Sequence, residues 1–310
     1  MRRKNPPQVT SNNGVSFRCG YIAIAGAPNV GKSTLLNSFM GMKLSIITSK
    51  PQTTRRNILG ILTSDDYQAI LVDTPGLIDP AYRLQSSMRS QAVSAIRGAD
   101  VLLLMEDAVS AVERGPGKQT VTAIETVGSA TPVVLVLNKI DRVHKDDLLP
   151  VIDQFNSRWQ PAVIVPICAL NGDGVDVLLN ETIRILPESP QLYPEEMITE
   201  HPEKFFVSEF VREAVFNRFG KEIPYSTATA VEEFRRGGVK TYISVIIYVE
   251  RESQRPILLG KGGKAIKEVG RRARKSIEEF LGEPVYLDLW VKVKENWRSL
   301  DAHLKDLDLI

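Results

Sequence analysis

The stretch GAPNVGKST, residues 26–34, decides the first half of the fold. It matches G-x4-G-K-[ST], follows a predicted strand and opens a predicted helix. Glycines let backbone N–H groups turn inward around phosphate oxygens, and a helix N-terminus adds positive potential. We therefore predict a phosphate-binding loop, in which Lys32 reaches the β- and γ-phosphates and Ser33 ligates Mg²⁺. A glycine-rich turn that fits the pattern by chance is the alternative.

Short apolar runs alternate with helical stretches over the first 185 residues. The runs are nearly continuous in leucine and β-branched residues, as buried parallel strands are. The rhythm predicts an α/β fold with a mainly parallel sheet, and residues 57–63 are expected to pair antiparallel with one strand. The predicted strands are 21–26, 67–73, 100–105, 132–138 and 162–168, with helical segments between most of them, for example at 32–40, 85–97 and 174–186.

Two further motifs end or precede predicted strands. LVDTPG, residues 71–76, places Asp73 where a carboxylate holds magnesium through water and Gly76 where its N–H senses a γ-phosphate. QTTRRN, residues 52–57, supplies a threonine for magnesium and the γ-phosphate. We favour Thr54, and the adjacent Thr53 is the alternative.

NKID, residues 138–141, ends another predicted strand and indicates guanine recognition. Asp141 can accept hydrogen bonds from guanine N1 and the 2-amino group, Asn138 contacts the base edge, and Lys139 packs its stem on the ring. Adenine offers no matching donors, so the carboxylate would be left unpaired and GTP is preferred over ATP. CAL, composed of Cys168, Ala169 and Leu170, fits the loop that closes over guanine.

A second domain is predicted after a linker that carries four prolines between 186 and 204. The segments that follow read α-β-β-α-α-β, with a helix at 205–219 and strands near 226–235 and 239–250. A short helix leads into GKGG, residues 260–263, and a longer helix runs to about Leu281 before a last strand. The organisation predicts an α+β domain unrelated to the first.

GKGG matches G-x-x-G between two helices, and the helix after it has two faces. Between residues 255 and 275 there are eight basic residues, and Glu268 is the single acidic one. The simplest interpretation is that these basic residues form a solvent-exposed helix face without a specific partner. Beside a G-x-x-G loop, contact with a nucleic-acid backbone is favoured. The expected RNA-binding residues are Gly260, Lys261, Gly262, Gly263, Lys264, Lys267, Arg271 and Arg274. Trp290 and Trp297 are candidates for base stacking or for packing.

These motifs together resemble the Era family of bacterial P-loop GTPases, over residues 20 to about 300. The resemblance implies an α/β P-loop GTPase domain with a mainly parallel sheet at 20–187, a linker at 188–204 and an α+β type II KH domain with a C-terminal tail at 205–310. It implies GTP and GDP as ligands, with Mg²⁺ held through Ser33, Thr54 and Asp73. The implied nucleotide-binding residues are Gly26, Asn29, Val30, Gly31, Lys32, Ser33, Thr34, Asp73, Asn138, Lys139, Asp141, Cys168, Ala169 and Leu170.

The resemblance further implies a ribosome-assembly factor that binds the 16S ribosomal RNA near its 3′ end and promotes maturation of the 30S subunit. Nucleotide state would gate RNA binding. We expect a cytoplasmic monomer, and some of the family also associates peripherally with the inner membrane. The catalytic group is expected to be Lys32, Thr54 and Gly76. Cys168 departs from the family pattern, in which serine or threonine commonly leads that loop.

Signalling GTPases place a glutamine after DTPG to orient the attacking water, whereas this chain has Leu77. Asn29 suggests a substitute, since in GTPases of similar sequence that asparagine helps to bind K⁺ beside the phosphates. We predict slow hydrolysis that K⁺ and bound RNA stimulate. The alternative is that Asn29 only braces the loop.

The composition of the chain bears on its cellular compartment and on the competing functions. The net charge is +2, and two cysteines in 310 residues form no CxxC pair, which indicates a reducing compartment. Residues 1–19 are expected to be a flexible basic arm without a secretory signal, and an organelle-targeting role stays open. A signalling switch with a protein-binding second domain is the competing function. A tRNA-modification GTPase would need a further catalytic domain, and a tandem GTPase would repeat the nucleotide motifs.

Overall fold

A computed structural model describes residues 17–127 and 130–310. Most of the predicted basic arm therefore lies outside the described residues. The chain divides into two compact units. The first unit contains the described residues up to Ser45, together with Thr54–Asp79 and Met88–Glu200, and the second contains Ile46–Thr53, Pro80–Ser87 and His201–Ile310.

A six-stranded sheet forms the centre of the first unit, with the strand order β2-β3-β1-β4-β5-β6. All neighbours are parallel except β2, which pairs antiparallel with β3 as predicted. The strands are nearly fully buried because helices cover the sheet, and this explains their continuous apolar sequences. Their bounds are β1 Arg18–Gly26, β2 Ile58–Thr63, β3 Tyr67–Asp73, β4 Val101–Asp107, β5 Val133–Asn138 and β6 Val163–Ile167.

Six helices connect these strands. Three of them correspond to the predicted segments 32–40, 85–97 and 174–186, and the other three lie between later strands, for which no helix bounds were predicted. Pro150 lies inside α5, at a position where a sequence pattern argues against a helix, and α3 is a short helix that begins at the cap Asp107. Their bounds are α1 Lys32–Met40, α2 Arg83–Arg97, α3 Ala108–Arg114, α4 Lys118–Val127, α5 Lys145–Trp159 and α6 Val175–Ile185.

The strand ends place the candidate nucleotide residues along one edge of this sheet. Strand β1 ends at Gly26, β3 at Asp73, β4 at Asp107 and β5 at Asn138. Because parallel strands end on the same side, these positions converge there, as ligand sites in open α/β sheets do.

The second unit is built on a three-stranded sheet with the order β7-β8-β9, in which β7 and β8 are antiparallel and β8 and β9 are parallel. The order of elements is the predicted α-β-β-α-α-β, with a short additional helix before β7 and another at the end of the chain. Their bounds are α7 Glu203–Arg218, α8 Ile223–Ser226, β7 Thr227–Arg235, β8 Thr241–Val249, α9 Arg255–Leu259, α10 Lys264–Leu281, β9 Val285–Val293 and α11 Asp301–Asp306.

Helix α10 has the two faces that the sequence predicts. One face buries Ala265, Val269, Ala273 and Ile277, while the basic residues between them are exposed. Trp297, a candidate for base stacking, is instead fully buried and donates its indole N–H to the carbonyl of Ser226. Its stacking role was therefore the wrong alternative, whereas Trp290 is 55% exposed.

Within the part of the chain that the structure describes, no helix combines the length and apolar character needed to cross a membrane.

Candidate nucleotide site and KH loop

The loop between β1 and α1 adopts a shape that only glycine permits at two of its positions. Gly26 and Gly31 have φ values of 150° and 110°. A Cβ on Gly31 would overlap the side-chain amide nitrogen of Asn138, and one on Gly26 would overlap the carbonyl oxygen of Met105. These contacts let the backbone turn tightly before α1, so that the first N–H groups of the helix are free to face an anion.

Lys32 is the first residue of α1, and its side chain is buried. Its ammonium donates to the carbonyls of Gly26 (3.2 Å) and Ala27 (2.9 Å), so it is held across the loop. Burial lowers the pKa of Lys32 to about 8, while the charge of Asp73 opposes the shift. A bound phosphate would supply the negative charge that this ammonium lacks.

Three side chains meet at one carboxylate oxygen. Ser33 Oγ lies 2.7 Å and Thr54 Oγ1 lies 3.3 Å from Oδ2 of Asp73, and the two hydroxyls are 3.0 Å apart. Ser45 Oγ also donates to the same oxygen, at 2.7 Å. Thr53, the alternative to Thr54, instead bonds through its hydroxyl to the side chain of Thr48 and the carbonyl of Lys50. The geometry therefore brings Thr54, and not Thr53, to the carboxylate.

The donor set fits a magnesium ion. Oδ1 of Asp73 is buried and accepts no hydrogen bond from the residues that the structure describes, although a buried carboxylate oxygen normally has a partner. Carboxylate and hydroxyl oxygens are the ligands that Mg²⁺ takes from proteins beside phosphates. Burial raises the pKa of the Asp73 carboxyl, and the Lys32 ammonium and the three hydroxyls oppose the rise. A divalent cation would favour the ionised carboxylate further.

Residues 74–77 pack against the phosphate-binding loop. A Cβ on Gly76 would lie 3.0–3.2 Å from three atoms of Pro28, so the backbone at Gly76 approaches the loop closely. Leu77 N–H donates to the carbonyl of Gly26 at 3.4 Å, and the Leu77 side chain is buried in the apolar core. Leu77 therefore has a packing role and contributes no polar group to orient a water.

Asn138 joins the two loops that would enclose a base. Its amide nitrogen donates to the carbonyl of Val30 (2.7 Å), and its oxygen accepts from Ala169 N–H (2.9 Å). Cys168 is buried, and its backbone bonds to Asp173 and Gly172, so the loop is shaped by its main chain rather than by the thiol. Leu170 is 81% exposed beside this loop.

Three other predicted residues lie at the rim of the same site. Asp141 has a carboxylate that is 41% exposed, with Arg142 at 3.9 Å, and is thus open to donors from a ligand. Asn29 is exposed and has a left-handed φ of 64°. Thr34, in the first turn of α1, is half-buried.

The GKGG loop of the second unit is open to solvent. Lys261 and Gly262 are exposed, and Gly260 and Gly263 are partly so. All three glycines have positive φ, of 71° at Gly260, 61° at Gly262 and 73° at Gly263. A Cβ on Gly260 would lie 2.7 Å from that of Ala265, whereas Gly262 and Gly263 face open space. Gly260 is thus required by the close packing of the loop against Ala265, whereas Gly262 and Gly263 leave the surface of the loop without side chains.

The predicted cationic residues flank this loop and a groove. Lys264, Lys267, Arg271 and Arg274 are exposed on α10. Among the described residues Lys264, Lys267 and Arg271 form no ion pair, and Arg274 has only Glu278 at 4.0 Å. By contrast Arg272, outside the predicted set, is paired with Glu268 at 2.7 Å. A groove of about 500 Å³ runs between α10 and the edge strand β9, with Lys267, Arg271 and Arg274 along it.

Comparisons with known proteins find matches to both units of the chain. A family model described as 50S ribosome-binding GTPase matches residues 21–139, and a KH domain model matches residues 222–298. A curated relative, GTPase Era of Carboxydothermus hydrogenoformans, is 43% identical over 295 residues, which are 94% of this chain and 98% of the relative. The chain belongs to the Era family of GTPases.

Solved structures of Era superpose on nearly the whole chain. A variant of Aquifex aeolicus Era bound to GDP·AlF4⁻ matches with a TM-score of 0.90 and 38% identity, covering 94% of this chain and 99% of its own. A structure of Era with MgGDPNP and nucleotides 1506–1542 of 16S ribosomal RNA matches with the same values. The fold is therefore that of Era: a P-loop GTPase domain with a mainly parallel sheet, followed by a KH domain. The first of these structures holds GDP·AlF4⁻ and the second holds MgGDPNP.

Asp107, which no sequence motif singled out, contacts one of the predicted site residues. Asp107 ends β4, directly opposite Asn138 in the parallel register. Its Oδ2 lies 2.5 Å from the ammonium of Lys139, which also donates to the carbonyl of Asn29 at 2.8 Å. Its Oδ1 caps α3 by accepting from the N–H groups of Val109 and Ser110. A signal was present, since Asp107 follows a buried strand at the same sheet edge as Asp73.

Proposed function

We propose that this Era family GTPase binds single-stranded RNA through its KH domain, near the 3′ end of 16S ribosomal RNA, and promotes maturation of the 30S subunit. The observation that carries the proposal is the bare GKGG loop beside unpaired cations. Glycines in such a loop allow a sugar-phosphate backbone to approach, and KH loops clamp about four nucleotides in this way. The Era structure that contains nucleotides of 16S ribosomal RNA supports the same partner. In this role the protein acts in the cytoplasm as a monomer.

The nucleotide state would gate RNA binding. Two segments adjoin the nucleotide site in sequence and yet belong to the second unit: Ile46–Thr53 precedes Thr54, and Pro80–Ser87 follows the DTPG motif. Lys50 donates to the carbonyl of Phe219 at 2.7 Å, just after α7, and Leu84 N–H donates to the carbonyl of Arg298 at 2.9 Å. A γ-phosphate that repositions Thr54 or Gly76 would also move these two segments, and with them their hydrogen bonds to Phe219 and Arg298.

Hydrolysis would depend on groups other than the residue after Gly76. Leu77 is buried in the core and has no polar atom, so the attacking water needs another partner. We assign that help to a K⁺ ion beside the phosphates, with Asn29 as one of its ligands. The added positive charge would stabilise the transition state as an arginine finger does. Slow basal hydrolysis with stimulation by K⁺ and by RNA is the expected behaviour.

Binding of a labelled single-stranded RNA from the 3′ end of 16S ribosomal RNA tests the proposal. The affinity is measured with a non-hydrolysable GTP analogue, with GDP and without nucleotide. We expect tighter binding with the GTP analogue and a steep weakening with added salt, because the cations contact phosphates. Equal affinity in all three states would remove the gating. Absence of RNA binding, with a protein partner captured in its place, would favour a signalling switch.

Lys32→Ala separates the two activities in the same assay. Without the ammonium that is held across the phosphate loop, GTP turnover is expected to be lost. RNA binding without nucleotide should remain, because Lys32 lies in the first unit. Loss of both would indicate that the variant is unfolded, which circular dichroism checks.

A further inference from the structure

One row of side chains crosses the whole KH sheet on the face that bears Tyr242. Arg235 of β7 is the register partner of Tyr242 of β8, and Tyr242 is that of Tyr286 of β9. The two tyrosine rings are stacked, with centroids 5.8 Å apart and planes 14° from parallel. The Arg235 guanidinium lies 4.9 Å from the centre of the Tyr242 ring. The row is therefore a continuous stack that begins with a cation.

This stack has an open end. Strand β9 is an edge of the sheet, so among the described residues no further strand follows Tyr286 in the row. Tyr286 is 58% exposed, so its ring is accessible to a ligand. Arg235 closes the opposite end of the row and pairs with Glu233 at 2.6 Å. An aromatic ligand can extend the stack only beyond Tyr286.

The open end lies at the rim of the basic groove. Tyr286 lines the groove together with Lys240, Lys267, Arg271 and Arg274. A strand of RNA clamped by GKGG and lying in that groove would therefore bring its next base to Tyr286. Offset stacking on an aromatic ring suits any base, because each base has a π-face.

We propose that Tyr286, backed by Tyr242 and Arg235, is a stacking site for a nucleobase immediately outside the nucleotides that the KH groove holds. This rests on the proposed RNA binding and adds a subsite to it. The charges on this face are mixed: Arg235 is paired with Glu233, and Lys292 with Glu232 at 3.3 Å. The site thus adds stacking energy without adding a phosphate contact.

Trp290 provides a matched control. It lies four residues further along the same strand, hence on the same face, and is 55% exposed. Its indole N–H donates to Asp288 at 3.0 Å. Trp290 does not line the groove, so its removal tests the loss of an exposed aromatic side chain at a different place.

The experiment measures the binding of full-length protein to single-stranded RNA oligonucleotides of four, six and eight residues by competition fluorescence anisotropy. Wild-type affinity should rise from four to six residues as the next bases reach Tyr286. Tyr286→Ala should weaken binding of the longer RNAs by ~5- to 150-fold, the range of base–aromatic stacking, and leave the four-residue RNA unaffected. Tyr286→Phe and Tyr286→Trp should retain wild-type affinity, and Trp290→Ala should have little effect.

The salt dependence separates stacking from a role in the groove wall. Tyr286→Ala should leave the slope of log affinity against log salt unchanged, whereas Arg271→Ala should reduce it by about one phosphate contact. Equal weakening for all three RNA lengths, a reduced salt slope, or equal losses in Tyr286→Ala and Trp290→Ala would each overturn the stacking site. Failure of the wild-type protein to bind any RNA would instead overturn the proposed function.

Discussion

A negative charge placed in the GKGG loop should weaken RNA binding without unfolding the protein. Gly262 has a left-handed φ of 61° and nothing within 4 Å of where a Cβ would be, so an aspartate side chain meets no obstacle. The backbone strain of a left-handed L-residue is about 1–2 kcal/mol, and aspartate is among the residues that tolerate it best. Gly262→Asp is therefore expected to fold.

The effect on RNA follows from Coulomb's law. A carboxylate at Gly262 would face a phosphate at about 5 Å if the loop clamps the RNA backbone. The repulsion at that distance is ~0.8 kcal/mol in bulk water and ~3 kcal/mol at the effective dielectric constant near a protein surface. These energies correspond to a weakening of roughly 4- to 150-fold.

The other end of the same helix supplies the control. Gly282 follows α10, has a φ of 71° and also has nothing within 4 Å of a Cβ. Helix α10 has 18 residues, so its ends are about 27 Å apart, which is several times the Debye length of about 8 Å. Gly282→Asp thus adds the same charge and a similar strain far from the GKGG loop, and it should not affect the four-residue RNA, which does not reach Tyr286. Because its carboxylate lies at a helix C-terminus, Gly282→Asp should be slightly less stable than Gly262→Asp.

RNA affinity is measured by anisotropy for both variants, with the thermal midpoint and GDP affinity as reports of folding. The expected result is weak RNA binding for Gly262→Asp alone. Equal affinities of the two variants, with both folded, would refute the assignment of GKGG as the backbone clamp.

Three further predictions concern the nucleotide site. Because burial lowers the pKa of Lys32 to about 8, GDP binding should become weaker above pH 8, by up to about tenfold per pH unit, as the free protein loses the proton that the phosphates require. Titrations with labelled GDP from pH 6.5 to 9.5 check this, and a flat profile would contradict it. Asp107→Ser keeps a cap for α3 but is too short to hold Lys139, so GDP affinity should fall ~10-fold at unchanged thermal midpoint. Asp107→Asn, which retains the length, should lose less, and equal affinities would limit Asp107 to capping. Replacing K⁺ by Na⁺ should slow GTP hydrolysis, and identical rates would remove K⁺ from the mechanism.

Most of the fold of the first unit could be predicted because the strand sequences are themselves apolar and end in recognisable motifs. Continuous apolar runs that end in GAPNVGKST, DTPG and NKID can only be buried strands with ligand groups at one edge. The helices for which the sequence predicted no bounds have weaker signals. Pro150 interrupts the pattern of α5, and α3 depends on a cap, Asp107, whose second oxygen holds Lys139. The ion pair between Asp107 and Lys139 joins residues 32 positions apart, so local sequence does not predict it.

Trp290 and Trp297 show the same limit in the second unit. They are seven residues apart, and periodicity does not separate a tryptophan that packs from one that is exposed. Trp297 is buried because Ser226, 71 residues earlier, offers a carbonyl to its indole. The row of Arg235, Tyr242 and Tyr286 likewise depends on the register of three strands, which no single segment encodes.

The two departures from the pattern of other GTPases, Cys168 and Leu77, are both buried side chains. Cys168 leads the loop that closes over the base, but the loop is shaped by its backbone bonds to Asp173 and Gly172, so a thiol in place of a hydroxyl leaves the geometry unchanged. Leu77 points into the core, where a glutamine would leave a buried amide without partners at a cost of about 1–3 kcal/mol. The residue at position 77 therefore cannot both pack in the apolar core and orient the attacking water. Another group must orient that water.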